Sequence, residues 1–131
     1  MTVEFSLAPE FVRDCIEVVD WPLCKVLLMN DSQYPWFILV PRQAGLKESI
    51  DLSDDDQILL MKESAKLSRL LQSIFNPDKL NVAALGNMVP QLHIHHIARF
   101  KTDVAWPAPV WGKFSAVPYS DAQITLLKEH F

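Results

Sequence analysis

Cysteine is scarce: the 131 residues include two, Cys15 and Cys24, with no C-x-x-C pair between them. No disulfide framework can be built from that, and a reduced cytosolic compartment fits, with both thiols expected in apolar surroundings. Basic charge is also short. Twelve Lys and Arg stand against sixteen Asp and Glu, for a net charge of −4. No positive field is available to attract a nucleic-acid polymer or an acidic membrane surface. A small phosphorylated ligand stays open, because local donors can hold phosphate against the global charge. No run of about 18 apolar residues offers a membrane span. Residues 1–10 carry two acids and no basic stretch followed by an apolar run, so they do not read as a signal peptide. There is no repeat, low-complexity tract or linker.

What the chain does have is apolar residues, half of its composition, enough for the core of one domain over residues 1–131. Residues 9–15 suit a short opening helix. Apolar runs over 16–19, 25–29 and 36–40, the last two separated by the turn-like Asp31-Ser-Gln-Tyr-Pro35, predict a meander of antiparallel strands. Ser53 is a helix cap, and Asp54, Asp55 and Asp56 favour the positive end of the helix dipole rather than forming a metal cluster. Ile58, Leu59, Met61, Ala65, Leu67, Leu70, Leu71 and Ile74 then recur at helical spacing, and Asn76-Pro77 stops the helix. Two further strands are expected over 80–85 and 92–100. The Pro- and Trp-rich residues 102–118 suit an ordered loop, and Ser120-Asp121 caps a last helix running to Phe131. The fold class is α+β: a roughly five-stranded antiparallel sheet with one long helix across it.

Chemistry concentrates in Gln91-Leu-His93-Ile-His95-His96-Ile-Ala-Arg99, which holds three of the four histidines. On a strand, alternation puts Gln91, His93 and His95 on one face and Leu92, Ile94 and His96 on the other. Three readings follow. The face can be merely polar. It can bind a metal, although a zinc site needs three or four ligands, His93 and His95 supply two, and His130 lies at the far end of the chain. Or an imidazole, largely unprotonated near neutral pH, can attack phosphorus. His96, on the opposite face, is expected to be structural.

That segment resembles the histidine triad (HIT) signature H-φ-H-φ-H-φ-φ, here Q-L-H-I-H-H-I. The resemblance implies that His93 is the nucleophile, that His95 contacts the transferring phosphate or leaving group, and that Gln91 stands where the first triad histidine would be. The resemblance also implies that a backbone carbonyl at that first position orients the nucleophile, so Gln91 is tolerable, and Gln91→His is expected to keep or raise activity. Arg99 matches a basic residue that follows the motif. Upstream, Leu27-Leu-Met-Asn30 and Pro35-Trp-Phe-Ile-Leu-Val-Pro41 are similar to two family strands around a proline turn, with Asn30 placed near ribose and phosphates. Gly86-Asn87-Met-Val89-Pro-Gln91 corresponds to G-Q-x-V-x-H, so Asn87 takes the position of a phosphate-binding glutamine, and Asn81 that of an asparagine on the preceding strand. Ala83-Ala-Leu-Gly86 is also similar to the A-A-M-G of the galactose phosphate uridylyltransferase branch. The motif core is about residues 23–100, with 101–131 an unmatched tail in which Trp106 or Trp111 either packs on the sheet, closes the pocket or meets a second subunit.

The resemblance implies a nucleotide hydrolase that cleaves a nucleotide conjugate or dinucleoside polyphosphate at the α-phosphate through a covalent nucleotidyl-histidine. A nucleotidyl transferase or a nucleotide-binding protein with little turnover is the alternative. No cofactor is required, a divalent cation can accompany a polyphosphate, no metal ligands are assigned, and a homodimer is expected.

Overall fold

The computed structural model describes residues 3–131; Met1 and Thr2, part of the segment read as no signal peptide, lie outside the described residues. A helix α1 (Pro9–Asp14) leads into β1 (Cys15–Asp20), β2 (Cys24–Met29) and β3 (Trp36–Pro41). The long helix α2 (Asp54–Phe75) follows, then β4 (Lys79–Ala83), β5 (Ile94–Arg99) and α3 (Asp121–Lys128). The strands form one antiparallel sheet in the order β1-β2-β3-β5-β4, so the expected five-stranded α+β architecture is present. None of the described helices is long and apolar enough to cross a membrane.

Helix α2 begins and ends as its residues dictate. The Ser53 side chain accepts from the Asp56 amide, three aspartates occupy the first turn, and Asn76 closes the helix in the left-handed conformation. Its buried stripe packs on one face of the sheet: Leu60, Leu67 and Leu71 meet Val26, Leu28, Phe37 and Leu39. Alternation sends Leu27, Trp36, Ile38, Val40 and Ile97 to the other face, where α1 and the tail cover them through Phe11, Ala105 and Val110. Strand β3 is therefore buried along its whole length.

Several boundaries differ from the expected ones, each for a physical reason. Strand β5 starts at Ile94 instead of residue 92, because Pro90 has no N–H and the Leu92 amide is spent on the Leu46 carbonyl. Strand β4 ends at Ala83 instead of 85, and Gly86, at φ 109°, turns the chain away from the sheet. Helix α3 stops at Lys128, and Phe131 folds back onto Phe37 with ring centroids 5.2 Å apart. A 3₁₀ turn at Ser49–Asp51 had no sequence expectation. Glu63, a carboxylate on the buried side of α2, accepts from the Leu23 and Cys24 amides at 2.9 Å each and so ties the helix to the β1–β2 turn. Cys24 is fully buried and Cys15 half-buried, both free thiols, and burial pushes the Cys15 thiol up to about 12.

The tail is held by an ion pair. Arg99, 2% exposed, donates from Nε to Asp103 Oδ2 at 2.8 Å and from Nη2 to Asp103 Oδ1 at 3.1 Å. Nη1 donates to Asn81 Oδ1 at 2.9 Å and Nη2 also to the Ala108 carbonyl at 2.8 Å. Asp103 in turn accepts from the amides of Phe100, Ala105 and Trp106. Removing one partner of such a pair strands a buried charge, whereas removing both does not. Asp103→Ala is expected to lose on the order of 3–5 kcal/mol of stability. The double variant Arg99→Met, Asp103→Asn removes both charges, keeps an acceptor for the backbone amides, and should recover part of that loss. Urea unfolding of the three proteins checks this, and an Asp103→Ala protein as stable as wild type contradicts it.

Candidate active site

Both histidines of interest lie on the face opposite α2, at the centre of the sheet. His95 sits in β5 between Ile38 of β3 and Ala83 of β4. His93 lies just before the strand, on the same side. Their ring centroids are 4.8 Å apart, and the two rings share the wall of a cavity of about 310 Å³, within the ~300–1,000 Å³ typical of small-ligand sites. Phe11, Met29, Trp36, Asn87, Val89 and Trp111 complete much of the lining, and its acids are Glu10 and Asp14.

Each ring is oriented through one nitrogen. His93 Nδ1 lies 2.6 Å from the Gln91 carbonyl oxygen, and Phe11 packs edge-on against the ring at 4.7 Å. His95 Nδ1 accepts from the Trp36 indole N–H at 3.0 Å, and Trp111 stands edge-on to it at 5.1 Å. Burial drives both imidazoles toward the neutral form. It lowers the pKa of His93, partly opposed by the bond to Gln91, and it takes His95 down to about 3 with help from the neighbouring His93 and His96.

The structure puts His96 on the face expected from the sequence. Alternation turns it toward α2, where Nε2 accepts from the Ser64 hydroxyl at 2.7 Å and Nδ1 donates to the Ile94 carbonyl. Burial lowers its pKa to about 4.

The other expected ligands are not all brought together. Asn87 is at the cavity, on its exposed rim. Gln91 is not: its side-chain oxygen accepts from the Ala8 amide and its NH₂ donates to the Ser6 carbonyl, both at 2.9 Å. The carboxamide acts as a clamp on residues 6–8, and only its backbone carbonyl serves His93. Arg99 bonds both to Asn81 and to the tail, away from the cavity. Asn30 accepts from the Tyr119 amide through its side-chain oxygen and lines a neighbouring cavity of about 440 Å³ that shares Asp14, Met29, Trp36 and Trp111 with the first. The sequence expectations missed Trp36 and Phe11. Their partners lie 59 and 82 residues along the chain, and no local pattern announces such contacts. Of the expected outcomes for the tail tryptophans, Trp111 lies against His95 on the cavity wall, and Trp106 stacks near the Arg99 guanidinium at 5.6 Å. Among the described residues, no three His, Cys, Asp or Glu side chains gather where they could hold a metal ion.

Comparison with known proteins identifies the family and the fold. The family model described as the HIT domain matches residues 10–102. A histidine triad protein from Marinobacter aquaeolei is 48% identical, with a TM-score of 0.95 over 98% of this chain and 93% of that one. One from Bradyrhizobium japonicum is 44% identical, with a TM-score of 0.95 over 98% and 96%. A Sulfolobus tokodaii protein described as a hypothetical histidine triad nucleotide-binding protein shares the fold at 15% identity, with a TM-score of 0.61 over 92% and 85%. No functionally curated protein matches the chain.

Two predictions follow from these contacts. An imidazole cannot both donate to Ser6 and accept at Ala8 with the spacing of a carboxamide. Gln91→His is therefore expected to loosen residues 6–8, raising amide hydrogen exchange at Ala8 and lowering activity, contrary to the expectation from the motif alone. Unchanged exchange at Ala8 counts against the clamp. The second concerns pH. Below about 6.5 the unfolded histidines take up protons that the buried ones refuse, so stability is complete above that pH and falls as pH drops toward 4 for His96 and 3 for His95. Each contributes a slope of up to about 1.4 kcal/mol per pH unit. Denaturant unfolding between about pH 7 and 4.5 measures it. A flat profile contradicts the burial argument, and His96→Asn should remove one proton's worth of slope.

Proposed function

This chain belongs to the histidine triad family, and on that premise we propose that it is a nucleotide hydrolase acting through His93. It cleaves a nucleotide conjugate or dinucleoside polyphosphate at the α-phosphate, with nucleotidyl transfer to another acceptor as a variant of the second step. The observation that carries the reading is the contact between His93 Nδ1 and the Gln91 carbonyl. A carbonyl only accepts, so Nδ1 holds the ring proton and Nε2 keeps its lone pair.

The reaction balances without a redox partner. Nε2 attacks the α-phosphorus, the bond from phosphorus to the leaving group breaks, and the electron pair departs with that group. The His93 ring is then a positively charged nucleotidyl-imidazolium, stabilised through Nδ1–H by the same carbonyl. Water attacks phosphorus, the P–N bond breaks, its electron pair returns to Nε2, and nucleoside monophosphate leaves with a proton passed to solvent. His95 and the Asn87 amide are the side chains placed to hold phosphate oxygens, and Asn30 faces the adjoining cavity where another part of the ligand can extend. Gln91 contributes its carbonyl. Arg99 and Asn81 support the tail that carries Trp111. An imidazole serves as both nucleophile and leaving group, so no resident cofactor is needed, and a divalent cation can travel with a polyphosphate as its counterion. A homodimer in the cytoplasm is part of the proposal. Strand β4 is an edge, and a second copy is one way to cover it.

A nucleotide-binding protein with little turnover is the second reading, favoured by one observation: the side chain at the first triad position is withdrawn from the cavity. His93→Ala separates the two. Monophosphate release from a nucleotide conjugate is expected to fall by several orders of magnitude, about 4 kcal/mol or more of barrier, with the melting temperature little changed. Wild-type protein quenched during turnover should show a mass increase of one nucleotidyl group. Near-wild-type activity in His93→Ala overturns the assignment. Binding without release in the wild type supports the second reading.

A further inference from the structure

The contact between Trp36 and His95 fixes more than the position of a ring. An indole nitrogen donates and cannot accept. Nδ1 of His95 is therefore unprotonated, and the neutral ring carries its proton on Nε2. Protonating Nδ1 would set two N–H groups against each other 3.0 Å apart. Trp36 has little freedom to yield: it is 7% exposed, with Tyr34 edge-on at 6.4 Å and Trp111 edge-on at 6.0 Å. Losing the bond would leave a buried indole N–H without a partner. Neither ring nitrogen of His95 is both buried and unpaired, and the ring lines the cavity beside His93.

We propose that Trp36 is a positioning residue that holds His95 as the neutral Nε2–H tautomer, and that the site in consequence prefers substrates whose leaving group departs as an anion. His95 then donates a hydrogen bond to the transferring phosphate and supplies no proton to the leaving group. This rests on His93 being the nucleophile. In a phosphoanhydride, Nε2 of His93 bonds to phosphorus, the P–O bond breaks, and the oxygen leaves with the electron pair as a phosphate that needs no proton. In a phosphoramidate, the departing amine must gain a proton. A neutral His95 could deliver one only by becoming an imidazolate. The other titratable groups on the cavity are Glu10 and Asp14, and hydrogen bonding to Arg13 lowers the Asp14 pKa. Facing His95 from the remaining elements are His93, on the segment before β5, and His96, its neighbour turned to the other side of the sheet.

Two measurements on the full chain test this. Long-range proton–nitrogen spectra of histidine-labelled wild-type protein should show His95 with Nδ1 unprotonated and Nε2 protonated from about pH 8 to about pH 5. A His95 that carries Nδ1–H, or titrates near 6.5 like an ordinary histidine, overturns the proposal without any variant having to fold. In Trp36→Phe the tautomers should mix and titration move up from its wild-type position, while burial still holds it below that range. Second, kcat/KM is compared for a nucleoside phosphoanhydride and a phosphoramidate of the same nucleoside. The anhydride is expected to be favoured by about 100-fold or more, the usual contribution of a missing general acid. Trp36→Phe should narrow that ratio. Equal turnover of the two substrates by the wild type overturns the substrate preference. So does phosphoramidate turnover that disappears in Glu10→Gln, which would locate the proton there. No turnover of either substrate, with the spectra as expected, refutes the hydrolase reading and the preference together and leaves the hold of Trp36 on His95 standing.

Discussion

The buried pair of Arg99 and Asp103 is the constraint on which the second face of the sheet depends. A guanidinium at the end of a central strand must find acceptors for its donors or leave a charge unpaired. Here the acceptors come from the next nine residues and from Asn81 on the edge strand. Satisfying Arg99 therefore bends the chain back under the sheet as it leaves β5. Farther along, Asp31 accepts from the Val117 amide and Asn30 from the Tyr119 amide, so the β2–β3 turn catches the far end of the tail. Between these anchors Val110 and Trp111 are laid over Trp36, Ile38 and His95. Without that cover, Leu27, Ile38, Val40 and Ile97 would face water.

Desolvation by the tail and by α1 sets the chemistry. A histidine pair on an open sheet would titrate near its ordinary range. Under Trp111 and Phe11 both rings are driven neutral. The N-terminal cover is held by the Gln91 carboxamide, which pairs with one backbone donor and one backbone acceptor as a peptide group would. The residue in the first triad position thus clamps residues 6–8 with its side chain and orients the His93 ring with its carbonyl.

Short-range signals carried much of this into the sequence. The Ser53 cap, the acidic first turn and the Asn76 stop delimit α2, because capping and dipole effects act within a turn. The strict period of a strand put His93 and His95 on one face and His96 on the other even though β5 begins only at Ile94. What was illegible is which partner, near or distant, takes up a polar side chain. Arg99 reads as a phosphate ligand until Asp103 and Ala108 are seen to enclose it. Gln91 reads as a substitute ligand until Ser6 and Ala8, more than eighty positions away, take both ends of its amide. A polar side chain in a motif advertises its hydrogen-bonding capacity, but the sequence does not say whether ligand or backbone uses it.

The two imidazoles meet the cavity in opposite tautomers, and the difference is made by their hidden nitrogens. An acceptor behind His93, the Gln91 carbonyl, leaves a lone pair in front. A donor behind His95, the Trp36 indole, leaves an N–H in front. Two identical side chains two residues apart thereby present a lone pair and a hydrogen-bond donor, both uncharged. A charged imidazolium in either place would work against this: at His93 it would have no lone pair, and at His95 it would face the indole N–H. The low dielectric of the covered face keeps both rings neutral; Arg99 anchors the tail's share of that cover and Gln91 the N-terminal share. The neutral state of His93 and His95 thus depends in part on an ion pair that touches neither.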